Sequence, residues 1–506
     1  MLLGVDLGTT AVKVTAWRPG AGVAGRAGTP VTTIRGRPGE YEQDPETWWT
    51  AVRSALAALA ADGVDLGAVT AVGLSGHTHG LVLVDEALEP VRPCLTWADQ
   101  RATAETRELG ERVGALVRQR CANPLIEAFT LPKLAWVARH EPATLAAAAQ
   151  LGLPKDYLRA RLTGTWATDA TDAASTLFYD LRRQAWDEEL LAAAGAGPDL
   201  LPEVLAPAAV AGVVTRAAAE QTGLPAGVPV AAGASDVACA ALGAGADEPG
   251  VTCVNVGTAA QILTPMGEPV SGQHYVFQGA GQQPFLAMAS VYSAGLALQW
   301  CMDQLMRGPL GSSADSDEER YRVVTEAVLG VPPGAGGLLF LPYLLGSSTP
   351  FHDPAARGAL LGMTPGHGQA EALRAVIEGV ALAIGLALGE LPAGVAPKRL
   401  RAGGGAARSP AWTRILAAAC GCDVEVLAAE GSGMGAVMLA GLATSQFPGP
   451  REAAAACVAV RETVPADEDA VRVYRDRAEV FRAAYEALAP VFPRLAGAPA
   501  PGDGEG

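Results

Sequence analysis

The stretch Gly4-Val5-Asp6-Leu7-Gly8-Thr9-Thr10-Ala11-Val12-Lys13-Val14 sets one carboxylate inside a buried-strand pattern, followed by a Gly-Thr-Thr turn and a returning strand. A lone carboxylate is costly to bury unless something pairs with it. A Gly-Thr turn between two strands leaves backbone N–H groups and hydroxyls facing outward, a concavity suited to phosphate oxygens. The pattern returns in Cys253-Val254-Asn255-Val256-Gly257-Thr258-Ala259-Ala260, where Gly-Thr stands at the same offset from Asn255 as from Asp6. Two such hairpins facing each other would hold a polyphosphate from both sides. Asp6 then gains a partner in Mg²⁺, which keeps its waters and binds through one or two carboxylates plus phosphate. Lys13, on the returning strand, supplies opposing positive charge. For one hairpin alone an Asp capping its own turn is the plainer reading; the repeat favours the magnesium–nucleotide.

Other candidates are weaker by themselves. The run Arg399–Leu416 reads as a strand, a Gly-rich bend at Gly403-Gly404-Gly405 and a helix, which lets backbone approach a flat ligand. His77 and His79 share a face of an extended chain and could hold zinc, but no partner motif accompanies them. Cys420-Gly421-Cys422 lacks a second pair nearby, which argues against a redox or metal site.

The elements that must position these residues alternate between strand-like and helix-like, the mark of an α/β architecture. Asp44 reads as an N-cap and Pro45 as the first residue of a helix reaching about Ala61. Residues 68–76 read as a strand and turn, 80–85 as a resumed strand, and a helical region follows Trp97. Residues 153–164 read as a helix ending at Gly164, and 228–245 as strand, turn and helix. The two hairpins divide the chain into lobes, 1–246 and 247–445, with a helical extension over 446–495 packed on the second lobe and a disordered tail at 496–506.

With 506 residues, half of them hydrophobic, the chain is globular and large enough for more than one domain. A net charge of −16 argues against general nucleic-acid binding and against an anionic membrane surface. Its eight cysteines, scattered through apolar stretches, read as reduced thiols of a cytoplasmic protein. The first residues enter a strand directly, without a signal-peptide pattern. The apolar run Gly379–Gly389, flanked by Glu378 and Glu390, is short for a membrane span and reads as a buried helix.

The Asp6-x-Gly-Thr-Thr hairpin, its second copy and the Gly-rich bend together resemble the FGGY carbohydrate kinases, of the sugar kinase, heat-shock-70 and actin superfamily. The resemblance covers roughly residues 1–490. Segments 42–49, 79–85, 96–102, 153–180, 231–243 and 340–350 are most similar to the xylulokinase branch of that family. The resemblance implies two actin-like ATPase lobes of ribonuclease-H type with a cleft between them. It implies ATP phosphates on Gly8, Thr9, Thr10, Gly257 and Thr258, with Gly295 near the nucleotide and Gly404 and Gly405 against the adenosine. It implies Asp236, at the start of a helix, as the general base that deprotonates the terminal hydroxyl of a sugar, D-xylulose giving D-xylulose 5-phosphate. A helix N-terminus favours the carboxylate form, although Ser235 or Asp236 could also simply cap that helix. Thr78 and His79 map onto the residues that hold the sugar. Trp97, Asp99 and Arg101 resemble a motif lining its cleft, against core packing for Trp97 and a surface ion pair for the other two. A homodimer is a further family expectation.

Four positions depart from the family pattern. His77-Thr78-His79 replaces Gln-Met-His, Val237 replaces an amide after the base, Ser347-Ser348 stand where Glu-Arg is common, and Ala406 fills a glycine slot. The first two lie in the expected sugar pocket and keep another ketose, a polyol or gluconate open as the acceptor. A nucleotide-gated protein without transferase activity would give Asp236 no role.

Overall fold

The computed structural model describes residues 1–305, 316–392, 395–428 and 431–496; of the tail expected over 496–506 only Ala496 is among them, and it closes the short helix Phe492–Ala496. Strand Leu2–Leu7 is buried on both faces. Side chains alternate along a strand, so Leu3, Val5 and Leu7 join one core with Trp48, Val52 and Leu56 of helix Pro45–Ala61. Gly4 and Asp6 take the opposite face. There the helix Ser432–Ala443 comes so close that a Cβ at Gly4 would stand 2.3 Å from the Gly433 carbonyl oxygen. The neighbouring parallel strand Ala71–Gly76 repeats the arrangement, with a Cβ at Gly73 falling 1.9 Å from the Ala436 oxygen. Glycine thus brings a helix onto the sheet, and Asp6 and Ser75 follow two residues later on that same face.

The two sheets share one topology. In the first, Gly22–Pro30, Ala11–Arg18, Leu2–Leu7, Ala71–Gly76 and Pro229–Ala231 lie side by side, the first three antiparallel and the last three parallel. In the second, Phe285–Val291, Ala260–Met266, Val251–Val256, Arg399–Gly403 and Asp423–Leu427 repeat that order and sense. The expected duplication is therefore one of whole lobes. The helices that follow the parallel strands, Asp236–Gly243 and Ser432–Ala443, cross between the lobes, and Ala238, Cys239 and Leu242 of one share a core with Met434, Val437 and Met438 of the other.

Asp44 caps its helix by accepting the Glu46 N–H at 3.0 Å, and Gly164 ends helix Pro154–Thr163 in the left-handed conformation (φ 73°). The resumed strand is present at Val82–Val84 and pairs with Gln150–Gly152. Two expectations need adjustment. The stretch after 445 is not only helical, because Val460–Val464 adds an edge strand to the second sheet. Helix Glu468–Leu488 docks on that lobe, Tyr474 bonding to the buried Arg374–Glu378 pair. Finally, the apolar run before Glu390 belongs to a longer helix, Gln369–Gly389, which by length and composition alone could cross a membrane. Of its apolar window 83% is buried inside the protein.

Candidate active site

Three strand ends meet at one point. His77 donates its N–H to the Leu7 oxygen (2.9 Å), and strand Ala234–Ser235 runs parallel to Ser75-Gly76. Carboxyl ends of parallel strands are where ligands bind in such sheets. Ser235 is the helix cap, accepting the Ala238 N–H at 3.3 Å, so Asp236 is the first helical residue and its carboxylate is not needed as the cap. Its Oδ1 takes the Val237 N–H at 2.9 Å, and the Thr78 N–H also donates to the carboxylate.

Asp6 lies close by. The Ser75 hydroxyl donates to its Oδ1 at 2.9 Å, Ser432 donates as well, and Lys13 stands opposite in register. Burial raises the Asp6 pKa against these three influences. Burial, joined by the Asp6 charge, pushes Asp236 up to about 7 despite its backbone N–H donors. Two carboxylates thus share a recess supplied with hydroxyls, amides and one lysine. That oxygen-rich, charge-deficient set fits a hydrated divalent cation.

At the turn expected to hold the sugar, His79 is buried and has a left-handed backbone (φ 65°), an uncommon state for a non-glycine residue. Its Nδ1 lies 2.8 Å from the Ser175 carbonyl oxygen. A carbonyl only accepts, so Nδ1 carries the proton. Burial lowers the ring's pKa to about 3, so the ring is neutral and Nε2 is an acceptor. Phe129 packs against it with the rings tilted, centroids 4.3 Å apart. His77 is likewise buried, edge-on to Trp48, its pKa lowered to about 4 by burial. Neither of its ring nitrogens has a protein partner.

Trp97 is half-exposed and donates from Nε1 to the Thr9 hydroxyl at 2.9 Å, joining its loop to the first hairpin. Asp99 and Arg101 are occupied with each other. Asp99 accepts from Arg101 Nε at 2.8 Å and from the Tyr41 N–H at 2.7 Å, while Arg101 also pairs with Glu42 and lies over Trp136. Those contacts shape the loop that presents Trp97.

The glycines expected at the nucleotide divide into two kinds. The N–H groups of Gly8 and Gly257 are spent inside their turns, on Ala11 and Ala259. Yet a Cβ at Gly257 would meet nothing nearer than 3.9 Å, and neither residue has a positive φ. At Gly257 the fold does not need glycine, and the open space over the turn is what a ligand seated there would use, whereas a Cβ at Gly8 would crowd the Ala11 oxygen at 3.2 Å. Gly295 and Gly404 are different. A Cβ at Gly295 would fall 2.5 Å from the Gly257 oxygen, and one at Gly404 (φ 84°) 2.4 Å from the Val256 oxygen. Both brace the second hairpin from behind. Gly405, beside them, is open. Thr10 and Thr258 are exposed at the turn tips.

Sequence reasoning missed two buried lysines. Lys133 Nζ donates to the carbonyls of Ala128, Phe129 (3.0 Å) and His79 (3.3 Å), clamping the His79 turn, and burial lowers its pKa to about 7. Lys155 Nζ sits among Asp156 (2.8 Å), Asp169 and Asp172 (2.9 Å). These carboxylates are spaced as metal ligands would be, but the ammonium already holds the centre. A lysine within an apolar helical run, as in Leu131-Pro132-Lys133-Leu134, was the available signal.

Fold and site together define a two-lobed phosphotransferase of the actin-like ATPase class. Residues 1–243 match the N-terminal domain of the FGGY family of carbohydrate kinases and residues 252–444 its C-terminal domain. The chain is 32% identical to the xylulose kinase of Bacillus subtilis strain 168, over 90% of each chain. It is 32% identical to that of Escherichia coli strain K12, over 97% of this chain and all of the relative. The xylulose kinase structure from Rhodospirillum rubrum superposes with a TM-score of 0.89 at 30% identity, covering 97% of this chain and 99% of the other. The protein belongs to the FGGY family: it is a carbohydrate kinase.

Proposed function

We propose that the enzyme transfers the γ-phosphoryl group of ATP to the terminal hydroxyl of D-xylulose, giving D-xylulose 5-phosphate and ADP. The observation that carries the mechanism is Asp236, a helix-terminal carboxylate with a pKa near 7, set beside Asp6 and the His77–His79 turn. The similarity to xylulose kinases along the whole chain supports the choice of sugar.

In this reading His79 Nε2 accepts a hydrogen bond from a sugar hydroxyl, which orients the ketose. Asp236 takes the proton of the attacking hydroxyl as its oxygen bonds to phosphorus, and the bond to the β–γ bridging oxygen breaks. The turns at Gly8-Thr9-Thr10 and Gly257-Thr258 seat the phosphates, Gly405 borders the adenosine, and Lys13 offsets negative charge. Asp6 would hold Mg²⁺ through water, and the ion, when bound, supplies charge neutralisation on the phosphates. Phosphoryl transfer depends chiefly on such positioning and electrostatics. Eight cysteines without a disulfide fit a reducing, cytoplasmic setting.

ADP release with Mg²⁺–ATP, measured across D-xylulose, D-ribulose, L-xylulose, L-ribulose, gluconate and glycerol, tests the substrate. We expect D-xylulose to give the highest kcat/KM. A higher value for another acceptor would overturn the choice of sugar and point to His77, Thr78 and Val237 as the residues that changed the pocket.

A further inference from the structure

Asp236 and His79 stand on different segments, yet both lead back to the short buried helix Ala170–Ala174 and its flanks. Thr171 Oγ1 lies 2.5 Å from Asp169 Oδ1 and 2.8 Å from the Ser235 amide nitrogen. A carboxylate only accepts, so the hydroxyl proton goes to Asp169, and the oxygen lone pair is left to receive the Ser235 N–H. Asp169 Oδ1 also takes the Thr171 N–H at 2.8 Å, and Oδ2 pairs with Lys155. Asp156, Asp169, Asp172, Lys155 and Arg159 are all fully buried.

The charges of this group close on themselves. Burial opposes the Lys155 charge, but the three carboxylates outweigh it and raise its pKa. Burial also favours a protonated Asp172, and the Asp169 and Asp156 charges reinforce that against Lys155. Two cations, Lys155 and Arg159, thus face the three carboxyl groups. Such a hydrogen-bonded cluster is stiff because removing any one partner strands a buried charge. At its other end, the Ser175 hydroxyl donates to the Asp172 backbone carbonyl at 2.8 Å, and the Ser175 backbone carbonyl accepts from the His79 ring.

We infer that Thr171 is a positioning residue for phosphoryl transfer: its hydroxyl, anchored on Asp169 and Lys155, fixes Ser235 and thereby the carboxylate of Asp236. The inference rests on Asp236 being the base. Ser235 is both the residue Thr171 grips and the cap of the helix that Asp236 begins, so a shift at Ser235 is handed directly to the carboxylate. It also loosens the Thr78 and Val237 N–H bonds, which favour the ionised form.

The test compares Thr171→Val, which keeps the shape and removes the hydroxyl, with Thr171→Ser, which keeps the hydroxyl. Each is assayed with the fastest sugar of the panel over a pH series, with Asp236→Asn alongside. For Thr171→Val we expect kcat to fall about 10- to 100-fold and sugar KM to change by less than about threefold. The acid limb of the pH profile should move to higher pH, and Thr171→Ser should restore both. If Thr171→Val is recovered only unfolded, the same readings are taken on Thr171→Ala. Wild-type kcat and an unmoved limb in the variant, with Asp236→Asn inactive, would overturn the positioning role. So would a kcat loss that only tracks the amount of folded protein. An active Asp236→Asn enzyme would instead overturn the base on which the inference rests.

Discussion

Asp236 is held in a state of balance: burial and the Asp6 charge favour its proton, and three backbone N–H groups favour its loss. A base works best when its pKa lies near the working pH. We therefore expect kcat/KM for the sugar to rise with pH through about 7, read from initial rates in buffers of constant ionic strength. The same balance burdens the fold. A carboxyl whose pKa is raised on folding binds its proton more tightly in the native state. Stability then falls as pH rises from the unfolded-state value near 4 to the folded value near 7, and the whole penalty is present above that. Asp236→Asn should accordingly melt a few degrees higher than wild type at pH 8, and that difference should vanish towards pH 4. His79 titrates far below neutrality and contributes no limb near 7. His79→Ala removes a buried acceptor, for which the expected outcome is a sugar KM raised about 10- to 100-fold with ATP KM nearly unchanged.

At the scale of elements, local rules were legible and long-range partners were not. Asp44-Pro45, Gly164 and Ser235-Asp236 announce helix ends because capping is decided within a few residues. The Gly-Thr turns announced themselves because turn chemistry is equally local. Lys155 could not be matched with Asp169, nor Lys133 with the His79 carbonyl, because those partners converge only after folding. The engagement of Asp99 with Tyr41 is of the same kind, joining residues 58 positions apart. One signal was in reach: Gly4 and Gly73 each stand two residues before the polar residue that reaches the cleft, on the same strand face. The docking of helix Glu468–Leu488 offers a separate test. Tyr474→Phe deletes the hydroxyl between Arg374 and Glu378, and we expect a loss of about 1–3 kcal/mol in urea unfolding with sugar KM unaltered.

For the whole molecule, the seam between the lobes is built from backbone contact. Gly4 and Gly73 admit helix Ser432–Ala443 onto the first sheet, and a Cβ at Gly435 would stand 2.0 Å from the Cys239 oxygen of the facing helix. The helix from the second lobe thereby delivers Ser432 to Asp6, so lobe packing and site geometry are one problem. In Gly73→Ala the new methyl must push that helix away. We expect about 1–3 kcal/mol of destabilisation together with a reduced kcat. Gly110→Ala is the contrast: it lies in an exposed helix with nothing near its Cβ position, and should stabilise by about 0.5–1 kcal/mol at unchanged kcat. The central claim, that Asp236 accepts the proton of the attacking sugar hydroxyl, is tested most directly by ADP release from Asp236→Asn at saturating D-xylulose and Mg²⁺–ATP, with ATP affinity measured by calorimetry. The account predicts turnover reduced by about 10²- to 10⁴-fold with the Kd for ATP unchanged; turnover near that of wild type would contradict it.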